Sequence, residues 1–151
     1  MSVPITYLDS SAIIKRYVRE SGSDTVRDAF MRAYSGDEVL SFSVWNIGEV
    51  LGVLDRARRI GRLNSDKYSL VRNRFLREVK RMSKIGILLL VPLRRRILVD
   101  SWKIVEKHHI YVADALQIAT ARNIGADAFL TGDRRLHEVA LSENLRSSLL
   151  A

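Results

Sequence analysis

Four short β-prone runs, separated by longer stretches of helical periodicity, set the class of fold open to this chain. They are Ile5 to Leu8, Glu38 to Phe42, Ile87 to Val91 and Ala128 to Thr131. Runs this short, bounded by caps and turns, read as buried strands. Strands that alternate with helices close into a parallel sheet covered on both faces, so the expected class is α/β. No linker, internal repeat or low-complexity segment interrupts the pattern, and a single domain over residues 1–151 is the economical arrangement.

The helices between the strands are legible from their caps and stripes. Ser10 and Ser11 can cap a helix running to about Val18, Gly22 breaks it, and Ser23 opens another to about Ala33. Gly36-Asp37 is a turn. Ser43 caps a helix from Val44 to Ile60 with the apolar stripe Ile47, Val50, Leu51 and Leu54, and Gly61 ends it. Asn64 or Ser65 opens a long helix to about Lys84 whose apolar face is Tyr68, Val71, Phe75, Val79 and Met82. The apolar faces of these two helices are candidates for packing against a second subunit. Pro92 stops the third strand. Helices are expected from about Leu93 to His108, from Val112 to Asn123 and from Arg134 to Leu141, with Leu145 to Leu150 as a last strand.

Four acids stand at the ends of these elements in a chain that is otherwise basic, with 25 Lys and Arg against 17 Asp and Glu and a net charge of +8. Asp9 closes the first strand, Glu49 lies inside the helix after Ser43, Asp114 opens the helix at Val112, and Asp133 follows the fourth strand. Carboxylates at the carboxyl ends of parallel strands point into the crevice where α/β proteins bind ligands. Gathered there they repel one another unless a divalent cation sits between them.

Each acid taken singly has a plainer explanation. Asp9 and Asp133 fit helix N-caps or turns, Glu49 a solvated helix face, and Asp114 a first-turn aspartate matched to the helix dipole. Two observations favour the functional reading. Gly48 and Gly52 flank Glu49 in a helix interior, where each glycine costs about 1 kcal/mol relative to alanine, which makes more sense if something packs closely there. Asp114 shares a face with Gln117, Ile118 and Ala121 in a helix nearly free of charge.

The basic excess favours an anionic partner, although solubility alone also accounts for it. Arg94-Arg95-Arg96 forms one run, and Arg56, Arg58, Arg59 and Arg62 a second cluster. Either can grip phosphates without reading sequence, or be a solvated face. With no cysteine, disulfides and thiolate metal sites are excluded. His108, His109 and His137 make a poor zinc set: the adjacent pair fits a helix end and His137 a helix surface. No signal peptide is expected, and no run approaches the roughly 20 apolar residues of a membrane span, so the expectation is a cytoplasmic protein with no membrane association.

Four segments carry a resemblance. They are Tyr7-Leu8-Asp9-Ser10-Ser11-Ala12-Ile13-Ile14-Lys15, Ser43-Val44-Trp45-Asn46-Ile47-Gly48-Glu49-Val50, Ala113-Asp114-Ala115-Leu116-Gln117-Ile118-Ala119-Thr120-Ala121 and Phe129-Leu130-Thr131-Gly132-Asp133-Arg134-Arg135-Leu136. In order and spacing this set resembles the PIN-domain nucleases, in particular the VapC-like toxins of toxin–antitoxin pairs, over almost the whole chain. The resemblance implies a doubly wound parallel sheet flanked by helices, with Asp9, Glu49, Asp114 and Asp133 at one edge binding one or two Mg²⁺ or Mn²⁺ ions. It implies supporting hydroxyls at Ser11 (or Ser10) and Thr131, and RNA as substrate. It also implies a homodimer and a small antitoxin protein bound near the acidic crevice. Gly132 stands where the family often has alanine or another small residue.

Such a site cleaves a phosphodiester with a metal-activated water and needs no nucleophilic side chain. Asp114 or Glu49 can accept the proton. Arg94, Arg95 and Arg96 are candidate RNA contacts. A haloacid dehalogenase-like phosphatase fits less well, since Ser11 holds the place of its second aspartate, and a receiver-like domain lacks its paired acids. A non-catalytic RNA-binding or scaffold PIN domain would have no use for all four acids. No P-loop pattern is present.

Overall fold

The computed structural model describes residues 2–151. Its elements, in order, are β1 (Ile5–Leu8), α1 (Ser10–Tyr17), α2 (Ser23–Tyr34), β2 (Val39–Ser43), α3 (Val44–Arg59), α4 (Ser65–Lys84), β3 (Leu88–Val91), α5 (Arg95–His108), α6 (Val112–Asn123), β4 (Ala128–Thr131), α7 (Arg134–Ser142) and β5 (Ser147–Leu149). The strands form one sheet in the order β3-β2-β1-β4-β5, and every pairing is parallel. The expected α/β class is what the chain adopts.

β1 is central because it pairs on both sides, Ile5 with Val39 of β2 and Thr6 with Ala128 of β4. Chain order reverses there: β2 and β3 extend one way, β4 and β5 the other. In an open parallel sheet the crevice lies at such a switch point, beyond the carboxyl ends of the strands. All strands being parallel, the residues after β1, β2, β3 and β4 share one edge. Asp9 and Asp133 flank the switch itself.

The core is continuous across the sheet. Tyr7 and Phe129, neighbours on β1 and β4, stack with ring centroids 5.6 Å apart. Ile118 and Ala121 of α6, Val50 and Leu54 of α3 and Ile13 of α1 are buried in the same cluster. On the other side of α1, Tyr17 meets Phe30 of α2 and Phe75 of α4 edge-on.

Several boundaries differ from the sequence reading. β2 spans Val39–Ser43 and excludes Glu38, which is buried and accepts from the Thr6 hydroxyl at 3.2 Å. β3 begins at Leu88, α5 at Arg95 and β5 is only Ser147–Leu149. Arg94 keeps an extended backbone (φ −92°, ψ 150°), which delays α5 beyond Leu93. Leu145 turns back instead, its N–H donating to Ala140 at the end of α7. His137 is half-buried, its Nδ1 2.7 Å from Ser147 Oγ, so it ties α7 to β5 and is not a free surface residue.

α4 hides a charge that its apolar periodicity concealed. Glu78 is buried beside Phe75, Val79 and Met82. Arg16 grips it with two bonds of 3.0 Å each, and the hydroxyls of Tyr17 and Tyr34 donate to it at 2.8 Å each. Burial opposes ionisation there, but the hydrogen bonds from Arg16, Tyr17 and Tyr34 win, and the carboxyl is pushed down to about 2. A buried carboxylate so fully partnered joins α1, α2 and α4.

The apolar stripes of α3 and α4 pack on this core. Val50, Leu54, Phe75, Val79 and Met82 are buried, while Ile47, Leu51, Tyr68 and Val71 of the same stripes are half-buried. What α3, the Ile60 that caps it, and α4 leave outside is a different set: Val44, Trp45, Val53, Ile60 and Leu70. A Cβ placed at Gly48 or Gly52 meets nothing within 4 Å, so the close packing expected at these glycines does not come from within the chain.

Candidate functional site

Asp9 is the best-anchored of the acids. It caps α1, with Oδ1 accepting from the Ala12 N–H at 2.9 Å and from Ser11 Oγ at 2.6 Å. Its other oxygen, Oδ2, accepts from Thr131 Oγ1 at 2.5 Å. Only 4% of the residue is exposed, and burial raises its pKa, an effect those hydrogen bonds oppose.

The same two hydroxyls reach the next strand. Ser11 Oγ accepts from the Gly132 N–H at 2.8 Å and Thr131 Oγ1 from the Asp133 N–H at 3.0 Å. Each hydroxyl proton is therefore committed to Asp9, and each oxygen also accepts from the β4–α7 turn. Asp133 caps α7, accepting from the Leu136 N–H at 3.1 Å, and is exposed. The N-cap reading of Asp9 and Asp133 and the site reading thus hold together: capping aims both carboxylates.

Gly132 has a steric reason to be glycine. A Cβ there would lie 3.0 Å from Lys15 Cε and 3.3 Å from Ser11 Oγ. Lys15 runs beneath the turn to bond the Ser21 carbonyl at 2.7 Å and Glu20 at 3.1 Å.

Glu49 is half-buried on α3. Its Oε1 accepts from Ser10 Oγ at 2.6 Å. Behind that bond stands Asn46, fully buried, which sequence reasoning passed over. Asn46 Nδ2 donates to Ser10 Oγ and to Gln117 Oε1, each at 2.8 Å, while Oδ1 accepts from the Ser43 N–H at 2.7 Å and the Tyr7 hydroxyl at 3.3 Å. Tyr7 also donates to Gln117 at 2.8 Å. The signal for Asn46 was its place three residues after the helix-capping Ser43; the signal for Gln117 was a polar side chain in an otherwise apolar helix.

Asp114 sits in the first turn of α6, half-buried, and its carboxylate makes no hydrogen bond among the described residues. Burial, and then the charges of Asp133, Glu49 and Asp9, push it up to about 6. Asp114 is thus within electrostatic reach of the other three. They are not closed into a shell: among the described residues no three acidic or histidine side chains come close enough together to grip an ion. Asp9, Ser11, Thr131 and Asp133 are linked by hydrogen bonds, Glu49 joins through Ser10, and Asp114 stands apart. The donors are all hard oxygens, which suits Mg²⁺ or Mn²⁺, and a cation among them would reverse the repulsion felt by Asp114.

Arg94, Arg95 and Arg96 are exposed just beyond the carboxyl end of β3, on the same edge as the acids, and make no ion pair among the described residues. The second arginine cluster is partly engaged. Arg58 and Arg59 pair with Asp55 at 2.6 and 3.1 Å, and Arg58 lies 4.0 Å above the Tyr68 ring. The His108–His109 pair ends α5 as expected, with His108 Nε2 2.9 Å from Glu143.

A five-stranded parallel sheet with a doubly wound order and acids along its carboxyl edge defines a class, the open α/β domains with an acidic switch-point edge. Within that class the chain belongs to the PIN domain family, whose model matches residues 6–141. No curated protein matches it in sequence. Among solved structures it is similar to FitAcB from Neisseria gonorrhoeae, with 17% identity, a TM-score of 0.66, and 94% of this chain and 95% of that chain covered. It is similar to VapC20 of Mycobacterium tuberculosis, described as a sarcin–ricin loop cleaving toxin, with 14% identity, a TM-score of 0.58, and coverage of 85% and 91%. A toxin–antitoxin complex from Klebsiella pneumoniae is also similar, with 14% identity, a TM-score of 0.55, and coverage of 85% and 86%. At these identities the likeness is one of fold.

Proposed function

We propose that this chain is a metal-dependent endoribonuclease, the toxin of a type II toxin–antitoxin pair, acting as one nuclease domain. The observation that carries the reading is Asp114: an unbonded carboxylate, raised to about 6 by burial and by three further acids, near the switch point of a PIN sheet. Asp9, Glu49, Asp114 and Asp133 would hold one or two Mg²⁺ or Mn²⁺ ions. When bound, such an ion supplies charge neutralisation and a water of lowered pKa.

The chain's own residues do the rest. Asp114, with no donor occupying its oxygens, takes a proton from the attacking water. The water oxygen bonds to phosphorus, the bond to the departing nucleotide's oxygen breaks, and that oxygen takes up a proton from solvent. Ser11 and Thr131 hold Asp9 in one orientation, and Ser10 with Asn46 holds Glu49. Arg94, Arg95 and Arg96 hold the flanking phosphates.

The fold neighbours that include a toxin–antitoxin complex support a small antitoxin as partner. The exposed Trp45, Val53, Ile60 and Leu70 support a homodimer. A cytoplasmic setting fits a chain in which, among the described residues, no helix is long and apolar enough to cross a membrane. The test is cleavage of structured RNA with Mg²⁺ or Mn²⁺ and with excess chelator. Activity that requires the ion is expected, and cleavage undiminished by exhaustive chelation overturns the reading.

A further inference from the structure

A cavity of about 440 Å³ opens beside Asp114, lined by His109, Ile110, Tyr111, Asp114 and Arg135. That is within the size range of small-ligand sites, about 300–1,000 Å³. Its composition is unlike the rest of the acidic edge. Tyr111 is 83% exposed, the most open of the large apolar side chains, although it is only three residues from a carboxylate of the site. An aromatic ring left in water at that position has found no packing partner in the fold.

The backbone holds it there. His109 adopts a left-handed conformation (φ 57°, ψ 45°) and ends α5, its N–H donating to Val105 at 2.8 Å. The chain then turns, and the Tyr111 carbonyl accepts from the N–H groups of Asp114 and Ala115 at 3.1 and 3.0 Å, opening α6. Tyr111 and Asp114 are thus fixed to one helical turn. From the first turn of α7, Arg135 reaches across to the His108 carbonyl at 2.9 Å. That bond uses one of its five donors, and the guanidinium pairs with no acid among the described residues.

The cavity therefore offers a ring face, an imidazole, a cation with donors to spare and the carboxylate assigned the proton. A free anion would be repelled by Asp114, and a purely apolar ligand would leave Arg135 unused. We infer that this cavity is a nucleotide subsite: one unstacked base of the RNA lies on the Tyr111 ring and its phosphate on Arg135, which presents the adjoining bond to Asp114. This rests on the nuclease reading and assigns it a base-stacking and a phosphate-holding residue. A base within a duplex is already stacked and cannot occupy the subsite, so the strand that is cut is unpaired at this point, in a loop or single strand.

The experiment uses the full chain and a hexaribonucleotide carrying 2-aminopurine at each central position in turn, alone or paired to its complement, in chelator so that nothing is cut. For the parent, one position should show fluorescence quenching on binding the single strand, with little quenching of the duplex. Tyr111→Ala should abolish the quench and weaken single-strand binding about tenfold, with duplex binding unchanged. Tyr111→Phe should restore both. Circular dichroism melting of the variants separates impaired binding from impaired folding. The subsite is overturned if Tyr111→Ala binds and quenches as the parent does, if duplex and single strand bind alike, or if the parent binds no RNA. Cleavage with added Mn²⁺ reports separately: a chain that cuts but shows no Tyr111-dependent quench keeps the nuclease reading and loses the subsite, and the converse pattern does the reverse.

Discussion

The side-chain amide of Asn46 donates to Gln117 Oε1 at 2.8 Å across 71 residues of chain, and through it α3 and α6 hold one polar core beneath the acidic edge. Tyr7, Ser43 and Ser10 all bond to Asn46 as well. Asn46→Ala strands the Ser43 N–H in a buried site, where an unsatisfied polar group costs about 1–3 kcal/mol, and leaves Gln117 Oε1 with the Tyr7 hydroxyl as its remaining donor. We expect urea denaturation to show a loss of at least that size. Cleavage should fall too, because Ser10 loses the donor that orients it toward Glu49.

Asp114 makes the metal-free protein sensitive to pH. Its carboxyl is raised from 3.8 to about 6, first by burial and then by Asp133, Glu49 and Asp9. A group that holds its proton more tightly when folded contributes stability that is fully present below pH 3.8 and lost as pH rises through about 6. Asp114→Asn removes that dependence. Discounted for partial exposure, the gain at pH 8 is about 1–2 kcal/mol, or roughly 2–8 °C in melting temperature, and it should vanish near pH 4. Calorimetry in chelator at the two pH values checks the sign, and a variant less stable than the parent at pH 8 contradicts it.

Asp9→Asn, Asp114→Asn and Asp133→Asn should each reduce RNA cleavage by about 100-fold or more while the chain stays folded. Parent rates in all three would remove these residues from the chemistry.

Gly132→Ala sets its new methyl against Lys15 and Ser11. Because Lys15 Cε is the nearer neighbour, at 3.0 Å, shortening that side chain should relieve the clash. We expect Gly132→Ala to cost about 1–2 kcal/mol. Its cost in a Lys15→Ala background should be smaller, a coupling that a double-mutant cycle measures in melting experiments. Strict additivity would mean that Ser11 is what resists the methyl.

Replacing Arg94, Arg95 and Arg96 together by Ala should raise KM with kcat mostly kept. The salt dependence of single-strand binding should flatten by about 0.7 in slope for each phosphate that the variant no longer neutralises. An unchanged affinity and slope would return the run to the status of a solvated face.

Much of this architecture is legible in the chain alone. Strand runs announce themselves through β-prone residues bounded by Gly, Pro and Ser, and the acids through their places at element ends. Asn46, Gln117 and Glu78 are not legible as anchors, because a polar residue on a helix looks solvated until its partners are known. Those partners lie 39 and 110 residues away for Tyr7, and 61 and 62 residues away for the Tyr17 and Arg16 bonds to Glu78. The stripes on α3 and α4 are apolar as their spacing says, and they pack on the chain's own core. Periodicity shows that a face is buried and not what buries it.

Helix α1 is only eight residues long, and both of its ends are fastened. Its first turn is stitched to β4 by Ser11 and Asp9, and its last by Arg16 and Tyr17 to Glu78 of α4. Such a strut has little freedom to tilt or slide. The acidic edge and the Glu78 cluster are therefore held in fixed register, and a substitution at Glu78, at the opposite end of the helix from Asp9, should be felt as a change in the aim of Asp9.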